Sequence, residues 1–232
     1  MMITRSNNME SGGTGFLLAV LTLPVVFDGE VELMEGLLEA GLQKLHIRKP
    51  GATAVEIENL LGRLSARWAS RLVLHGSVEL ALRYGISQVH GAVDYRDGSG
   101  RSGGGPFVGV APVGDEGEGS AASAMGGMAV STSVHSWEEF ALLPEGLAYA
   151  FISPLFDSIS KPGYVASESL LLQPGGRLPC LPVGLGGIGP DTIKVLLEHG
   201  WKGAAVLGWI WEDPAKAVSR YEQLKKTITD GY

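Results

Sequence analysis

A chain of 232 residues with 45% hydrophobic content can bury a large core, which excludes a wholly disordered protein and suits a single α/β barrel. Its net charge of −7, with 25 acidic against 18 basic residues and no Lys/Arg run, argues against nucleic acid as a partner, because phosphate-backbone binding needs a basic face. One cysteine, Cys180, excludes a disulfide framework or a thiolate metal cluster and fits a reducing cytoplasm.

The first dozen residues read as a loose N-terminus, and the ordered domain is expected over 16–232. The run FLLAVLTLPVVF, Phe16 to Phe27, is too short to span a bilayer, and no small-residue cleavage site follows it. It reads as a first core strand, about Phe16 to Leu23, rather than as an export signal or membrane anchor. A helix is expected from Glu30 to Ala40, stopped by Gly41, then a strand from Leu42 to Arg48. Thr53 and Glu56 form a capping box that opens a second helix, with Ile57, Leu60, Leu61 and Leu64 as its buried stripe.

A third strand is expected from Arg71 to His75, a short helix from Ser77 to Tyr84, and a fourth strand from Ile86 to Gly91. Residues 94–127 are rich in glycine and show no helical stripe, so the fourth helix is expected to be short or replaced by a loop. The fifth strand is Met128 to Ser133, followed by a second capping box at Ser136 and Glu139. The sixth is Leu147 to Ser153. The seventh is Leu181 to Gly187, with a helix from Pro190 to before Gly200. The eighth is Ala204 to Gly208, and Asp213-Pro214 starts a last helix with Ala217, Tyr221 and Leu224 on one face. Eight alternating units in this length predict a single (βα)₈ TIM barrel with a parallel eight-stranded sheet.

A barrel of this kind carries its chemistry where the strands end. His46, Arg48 and Lys49 end strand two. His75 ends strand three and His90 strand four. Ser133, with His135 two residues on, ends strand five. Four of the five histidines therefore fall at one rim. Each alone would more often be structural, but together they favour a site. The stretch FISPLFDSISKPGY, Phe151 to Tyr164, runs from a buried strand into a loop carrying Ser158, Ser160 and Lys161. GLGGIGPD runs off strand seven directly into a helix start. Its Gly186 and Gly187, with Gly208 after strand eight, would present bare backbone N–H groups to a phosphate. The competing reading is a tight turn that needs glycine for its backbone. Arg48, Lys49 and Lys161 supply positive charge for a second anion.

These residues, in this order, resemble the thiamin phosphate synthase and TenI family of (βα)₈ barrels over nearly the whole chain. His46-Ile47-Arg48-Lys49-Pro50 is similar to that family's Gln-x-Arg-x-Lys on strand two, with Arg48 matching and the lysine one place forward. VELA, Val78 to Ala81, matches the run after strand three. Ser133-Val134-His135 matches Ser-x-His, and SPLFDSISK is similar to the family's strand-six loop. GLGGI matches the glycines that hold a thiazole phosphate. The resemblance implies that Ser158, Ser160 and Lys161 face phosphate groups, and that His135 is the catalytic proton-transfer residue.

The chain departs from the synthases after strand three, where His75-Gly76-Ser77 replaces an Asn-Asp-Asp run that contributes to binding Mg²⁺ and a pyrimidine diphosphate. Asp94 approximates the second metal aspartate in a different spacing. The pattern is similar to TenI, which implies a thiazole tautomerase needing no cofactor. The alternatives are a divergent synthase, which would need Mg²⁺, and a non-catalytic barrel holding a thiamin-related phosphate. The expected partner is a small phosphorylated thiazole or pyrimidine. Neither a membrane nor nucleic acid is expected, and a homodimer is left open.

Overall fold

The structure is a computed structural model, and it describes residues 15–91, 95–96, 102–103, 127–157 and 168–231. Eight parallel strands close into a barrel: β1 (Leu17–Leu21), β2 (Lys44–Ile47), β3 (Leu72–His75), β4 (Gln88–His90), β5 (Ala129–Val134), β6 (Tyr149–Ile152), β7 (Leu181–Leu185) and β8 (Gly203–Val206). Each pairs with its sequence neighbours, and β8 pairs back to β1 with Leu17 opposite Gly203 and Val20 opposite Val206. The (βα)₈ architecture expected from the sequence is the one observed.

Strands in a barrel send successive side chains to opposite faces. Leu18, Val20, Leu45, Ile47, Leu72, Leu74, Val130 and Val134 point outward into the main core beneath the helices. Ala19, Leu21, Tyr149, Phe151, Val183 and Ala205 form a second apolar cluster inside the barrel. The strands that include β2 to β5 fill the rest of that interior with polar groups, among them His46, His90, Gln88 and Ser131, all buried. One half of the barrel lumen is therefore apolar and the other half polar.

Outside lie α1 (Glu30–Glu39), α2 (Ala54–Arg63), α3 (Val78–Arg83), α4 (Trp137–Ala141), α5 (Glu168–Leu171), α6 (Pro190–Glu198), α7 (Gly208–Trp211) and α8 (Ala217–Asp230). The capping box at Thr53 and Glu56 forms as expected, each side chain meeting the other's backbone N–H. The second box is only half made. Ser136 Oγ accepts from the Glu139 N–H, but the Glu139 carboxylate reaches one residue further back and accepts from the His135 N–H at 2.7 Å. Gly186 and Gly187 leave the strand with φ of +100° and +63°, so β7 ends at Leu185 rather than at Gly187. The chain takes a 3₁₀ turn at Pro214–Lys216 before α8 begins. Sequence reasoning also missed the 3₁₀ turn Ala66–Arg71, the short α5, and a two-stranded ribbon pairing Tyr95–Arg96 with Ser102–Gly103. The expectations of a loose N-terminus and of a short or missing fourth helix fall largely on residues outside those described. Among the described residues no helix is long and apolar enough to cross a membrane.

Candidate functional site

The polar half of the lumen is organised around three histidines. His46 projects inward from β2 and is fully buried, one residue short of the strand end. Its Nδ1 lies 3.0 Å from His75 Nε2, and its Nε2 lies 2.7 Å from the Tyr149 hydroxyl. His90, on β4, places Nδ1 3.0 Å from Ser131 Oγ and Nε2 2.9 Å from Ser133 Oγ. Tyr149 stands opposite Ser131 in the register of β6 and β5, and both side chains face the lumen. The rings pack as well as bond. His75 stacks on His90 with centroids 4.3 Å apart, and Phe151 lies 4.8 Å from His46 and 4.9 Å from His90. Of the four histidines expected at the rim, His46 and His90 thus lie inside the barrel, beneath it. His75 is half-buried where the cluster meets the mouth.

Burial holds these imidazoles neutral. It pulls His46 and His75 well below the usual histidine range, helped by the neighbouring His90, and pulls His90 down to about 3, helped by Arg48. Burial also pushes the Tyr149 phenol upward. No group in this network carries a charge at neutral pH.

Above the cluster stands Arg48, exposed at the end of β2 with no carboxylate partner among the described residues. Its backbone N–H is fixed by Thr22 Oγ1 at 3.0 Å. Lys49 turns the other way. Its ammonium is buried against the Glu30 carboxylate and donates at 2.8 Å to the carbonyls of Leu23 and Val25. The cation that the sequence offers to an anion is thus taken up by α1 and the loop before it. Sequence reasoning missed this because Glu30 reads as an ordinary first-turn acid.

His135 is exposed just past β5. Its Nδ1 lies 2.9 Å from the Ser153 carbonyl, which can only accept, so Nδ1 carries the proton and Nε2 keeps a lone pair. Ser133, two residues earlier, projects from the same side of the strand and is also exposed.

The glycine turn meets the expectation of a tight turn that needs glycine. A Cβ on Gly187 would lie 2.6 Å from the Asp157 carbonyl oxygen, and one on Gly186 would lie 3.0 Å from Pro154. Both positions therefore need glycine for packing as well as for φ. The turn is tied to the end of β6 by Phe156 N–H to Gly186 O, at 3.2 Å. Gly208 opens α7, whose first N–H groups have no partners within the helix. Ser158, Ser160 and Lys161 lie outside the described residues, as does Asp94.

Mg²⁺ prefers hard oxygen ligands. After β3 the backbone continues as Gly76, and Ser77 Oγ is occupied in accepting from the Leu80 N–H as the cap of α3. Among the described residues the His, Cys, Asp and Glu side chains close enough together to share an ion are His46, His75 and His90. Nitrogen donors suit other metals. None of these three side chains offers the oxygen that Mg²⁺ prefers.

Tyr149, Ser131 and Gln88 did not emerge from the sequence reading. The signal was present in the period of two: Ser131 shares a strand face with Ser133, and Tyr149 with Phe151.

No family model matches this chain. Among solved structures it is similar to a thiamine phosphate pyrophosphorylase from Bacteroides thetaiotaomicron, at 24% identity over 92% of this chain and 97% of that one, with a TM-score of 0.65. A thiamine phosphate pyrophosphorylase from Pyrococcus furiosus is similar at 22% identity, over 94% and 97% of the two chains, with a TM-score of 0.67. A 3-hexulose-6-phosphate synthase is similar at 16% identity, over 90% and 98%, with a TM-score of 0.55. These likenesses show a shared fold.

Proposed function

We propose that this chain is a thiamin-biosynthetic barrel that binds a phosphorylated thiazole and moves a proton on it, as a TenI-like tautomerase does. The observation that carries the reading is His135, an imidazole at the mouth whose Nδ1–H is held by the Ser153 carbonyl and whose Nε2 is left as a base. An imidazole ring can take a proton at one nitrogen and give one up again, which a tautomerisation requires. The substrate phosphate would sit on the N–H groups of Gly186, Gly187 and Gly208, with Ser158, Ser160 and Lys161 closing over it and Arg48 meeting a second anionic group. The motifs Ser133-Val134-His135 and SPLFDSISK, and the fold shared with two thiamine phosphate pyrophosphorylases, support this choice of substrate class.

That shared fold also favours a second reading, a divergent synthase joining a pyrimidine diphosphate to a thiazole phosphate. Departure of a diphosphate needs its charge neutralised, ordinarily by Mg²⁺, and Gly76 and Ser77 supply no carboxylate for one. The test is calorimetric binding of a carboxythiazole phosphate and of a pyrimidine diphosphate, with and without Mg²⁺, followed by turnover of each. Proton exchange on the thiazole without metal is the expected result. Mg²⁺-dependent coupling of the two substrates would replace the tautomerase with the synthase. Tight thiazole phosphate binding with no turnover would leave a binding barrel.

A further inference from the structure

Six side chains in the lumen join end to end. From the mouth, His75 Nε2 meets His46 Nδ1 at 3.0 Å, and His46 Nε2 meets Tyr149 Oη at 2.7 Å. At the bottom Tyr149 and Ser131 are register partners on adjacent strands, side by side in the lumen. The path then climbs again, from Ser131 Oγ to His90 Nδ1 at 3.0 Å and from His90 Nε2 to Ser133 Oγ at 2.9 Å. A competing acceptor for the Ser131 hydroxyl, the Val89 carbonyl, is further away at 3.3 Å. Both ends of this path, His75 and Ser133, reach the barrel mouth, and everything between them is shielded from water.

We infer that His75, His46, Tyr149, Ser131, His90 and Ser133 form a neutral proton relay, a U-shaped path that takes in a proton at one point of the mouth and delivers one at another. The inference rests on the proton-shift reading of the site for its substrate, and on geometry alone for the relay.

The path has two complete arrangements, and each uses every group between the two ends once as donor and once as acceptor. In the first, His75 Nε2–H donates to His46 Nδ1, His46 Nε2–H to Tyr149, Tyr149 O–H to Ser131, Ser131 O–H to His90 Nδ1, and His90 Nε2–H to Ser133. The Ser133 O–H then faces the mouth, and His75 Nδ1 is bare. In the second arrangement every bond runs the other way. His75 Nδ1 then carries a proton outward, and Ser133 Oγ is bare toward the mouth.

Passing from the first arrangement to the second moves one proton across each of the five bonds. A proton enters at His75 Nδ1 from water, and one leaves from Ser133 Oγ to the substrate. Each ring changes tautomer and none becomes an imidazolium, so no charge is created in the buried lumen, where it would be costly. In the tautomerisation His135 Nε2 removes the proton from one substrate atom and releases it to water, while Ser133 supplies the proton to the other atom. One proton leaves the substrate and one arrives, and the relay is reset by the reverse passage between turnovers. Only His135 and Ser133 touch the substrate in this scheme. Tyr149, Ser131, His46 and His90 act through Ser133.

The test has two arms. In the first, ¹⁵N-histidine NMR is recorded on the full chain and on Tyr149→Phe, without substrate. The expected result is that His46, His75 and His90 are all neutral at pH 7, and that Tyr149→Phe shifts the tautomer populations of His46 and His75 together. Imidazolium signals at pH 7, or a His75 tautomer that ignores the loss of the Tyr149 hydroxyl, would overturn the relay. Ser131→Ala breaks the path at a second point, and the same comparison on that variant keeps the test valid if Tyr149→Phe fails to fold.

The second arm measures proton exchange on a carboxythiazole phosphate in mixtures of H₂O and D₂O. The expected result is a curved proton inventory in the native chain, and a kcat about 10²–10⁴-fold lower in Tyr149→Phe with KM nearly unchanged. A native kcat in both relay-breaking variants would overturn the relay even if the native chain turns over. Coupled tautomers in the first arm with no exchange in the native chain would sink the substrate reading instead and leave the relay standing.

Discussion

Lys49 and Glu30 form an ion pair whose side chains are both fully shielded from solvent. Burial pushes the Glu30 carboxyl up and the Lys49 ammonium down, and their contact opposes both shifts. One oxygen of Glu30 has no hydrogen-bond partner among the described residues. Removing one partner leaves the other charge buried without a counter-charge, which costs about 3–5 kcal/mol. Glu30→Gln is therefore expected to destabilise the fold by about that amount in chemical denaturation. Glu30→Leu combined with Lys49→Met should cost much less than the two single changes added together, because no isolated charge remains.

The same pair separates two neighbours on β2. Arg48→Ala should weaken binding of a thiazole phosphate, because its guanidinium is exposed at the mouth with no carboxylate partner among the described residues. The Glu30→Leu, Lys49→Met double variant should bind with nearly native affinity, since the ammonium already spends its charge on Glu30. Isothermal calorimetry on the two proteins decides this. Equal losses would mean that Lys49 leaves Glu30 to meet the ligand.

Stability should fall on acidification through the histidine range. Burial holds His90 at about 3 and His46 well below the ordinary 6.5, so as pH falls through the ordinary histidine range the unfolded chain binds protons that the folded one refuses. Folding stability then decreases as pH drops, by up to about 1.4 kcal/mol per pH unit for each histidine, or about 3 kcal/mol per unit for the two. Urea denaturation from pH 7 to pH 5 measures the slope. A His46→Gln, His90→Gln variant should lose most of it, whatever its absolute stability.

His135→Asn should lower kcat for proton exchange by about 10²–10⁴-fold and leave phosphate affinity nearly intact. The ring removes a proton in the proposed reaction but is not part of the proposed phosphate cup. Its tautomer depends on a backbone carbonyl, so no second side chain is expected to rescue the variant. Single-turnover exchange checks it, and a native rate in His135→Asn would move the base to another residue of the mouth.

Gly187→Ala should destabilise the fold by about 1–3 kcal/mol, because its Cβ meets the Asp157 carbonyl at 2.6 Å and its φ of +63° is unfavourable for a side chain. Gly187→Asp would therefore report on packing as much as on phosphate. Gly208→Asp is the better probe of the cup. It sets a carboxylate at an exposed position, and should abolish thiazole phosphate binding while leaving thermal stability close to native. Unchanged affinity in that variant would remove Gly208 from the cup.

The barrel was legible in the sequence because its signals are local. Runs such as Leu72 to His75, a capping box at Thr53 and Glu56, and a proline at the first position of α6 each act within a few residues. The histidines were legible as a set, since four fall near strand ends. Their depth was not, because it depends on where each short strand stops relative to its neighbours. His75 stands opposite His90, while His46 stands opposite Val73, a full layer lower on β3. Tyr149 was hidden in an apolar run, where its hydroxyl counts only once β6 turns it toward His46 across the lumen. Glu30 was hidden because the direction of Lys49 is set by the loop after β1, whose two carbonyls draw the ammonium down.

The pairing of β1 with β8 has a consequence for the chain as it is made. Trp211 Nε1 donates to the Leu21 carbonyl at 2.6 Å, a bond spanning 190 residues. Until β8 leaves the ribosome, β1 and β7 each present an unpaired edge, and such edges readily join other chains. The polar lumen, with its three histidines, would meanwhile be wetted rather than sealed. The last strand to be synthesised is thus the one that turns an adhesive open sheet into a closed vessel, and the last helix, α8, packs across α1 and α6 to lock the join.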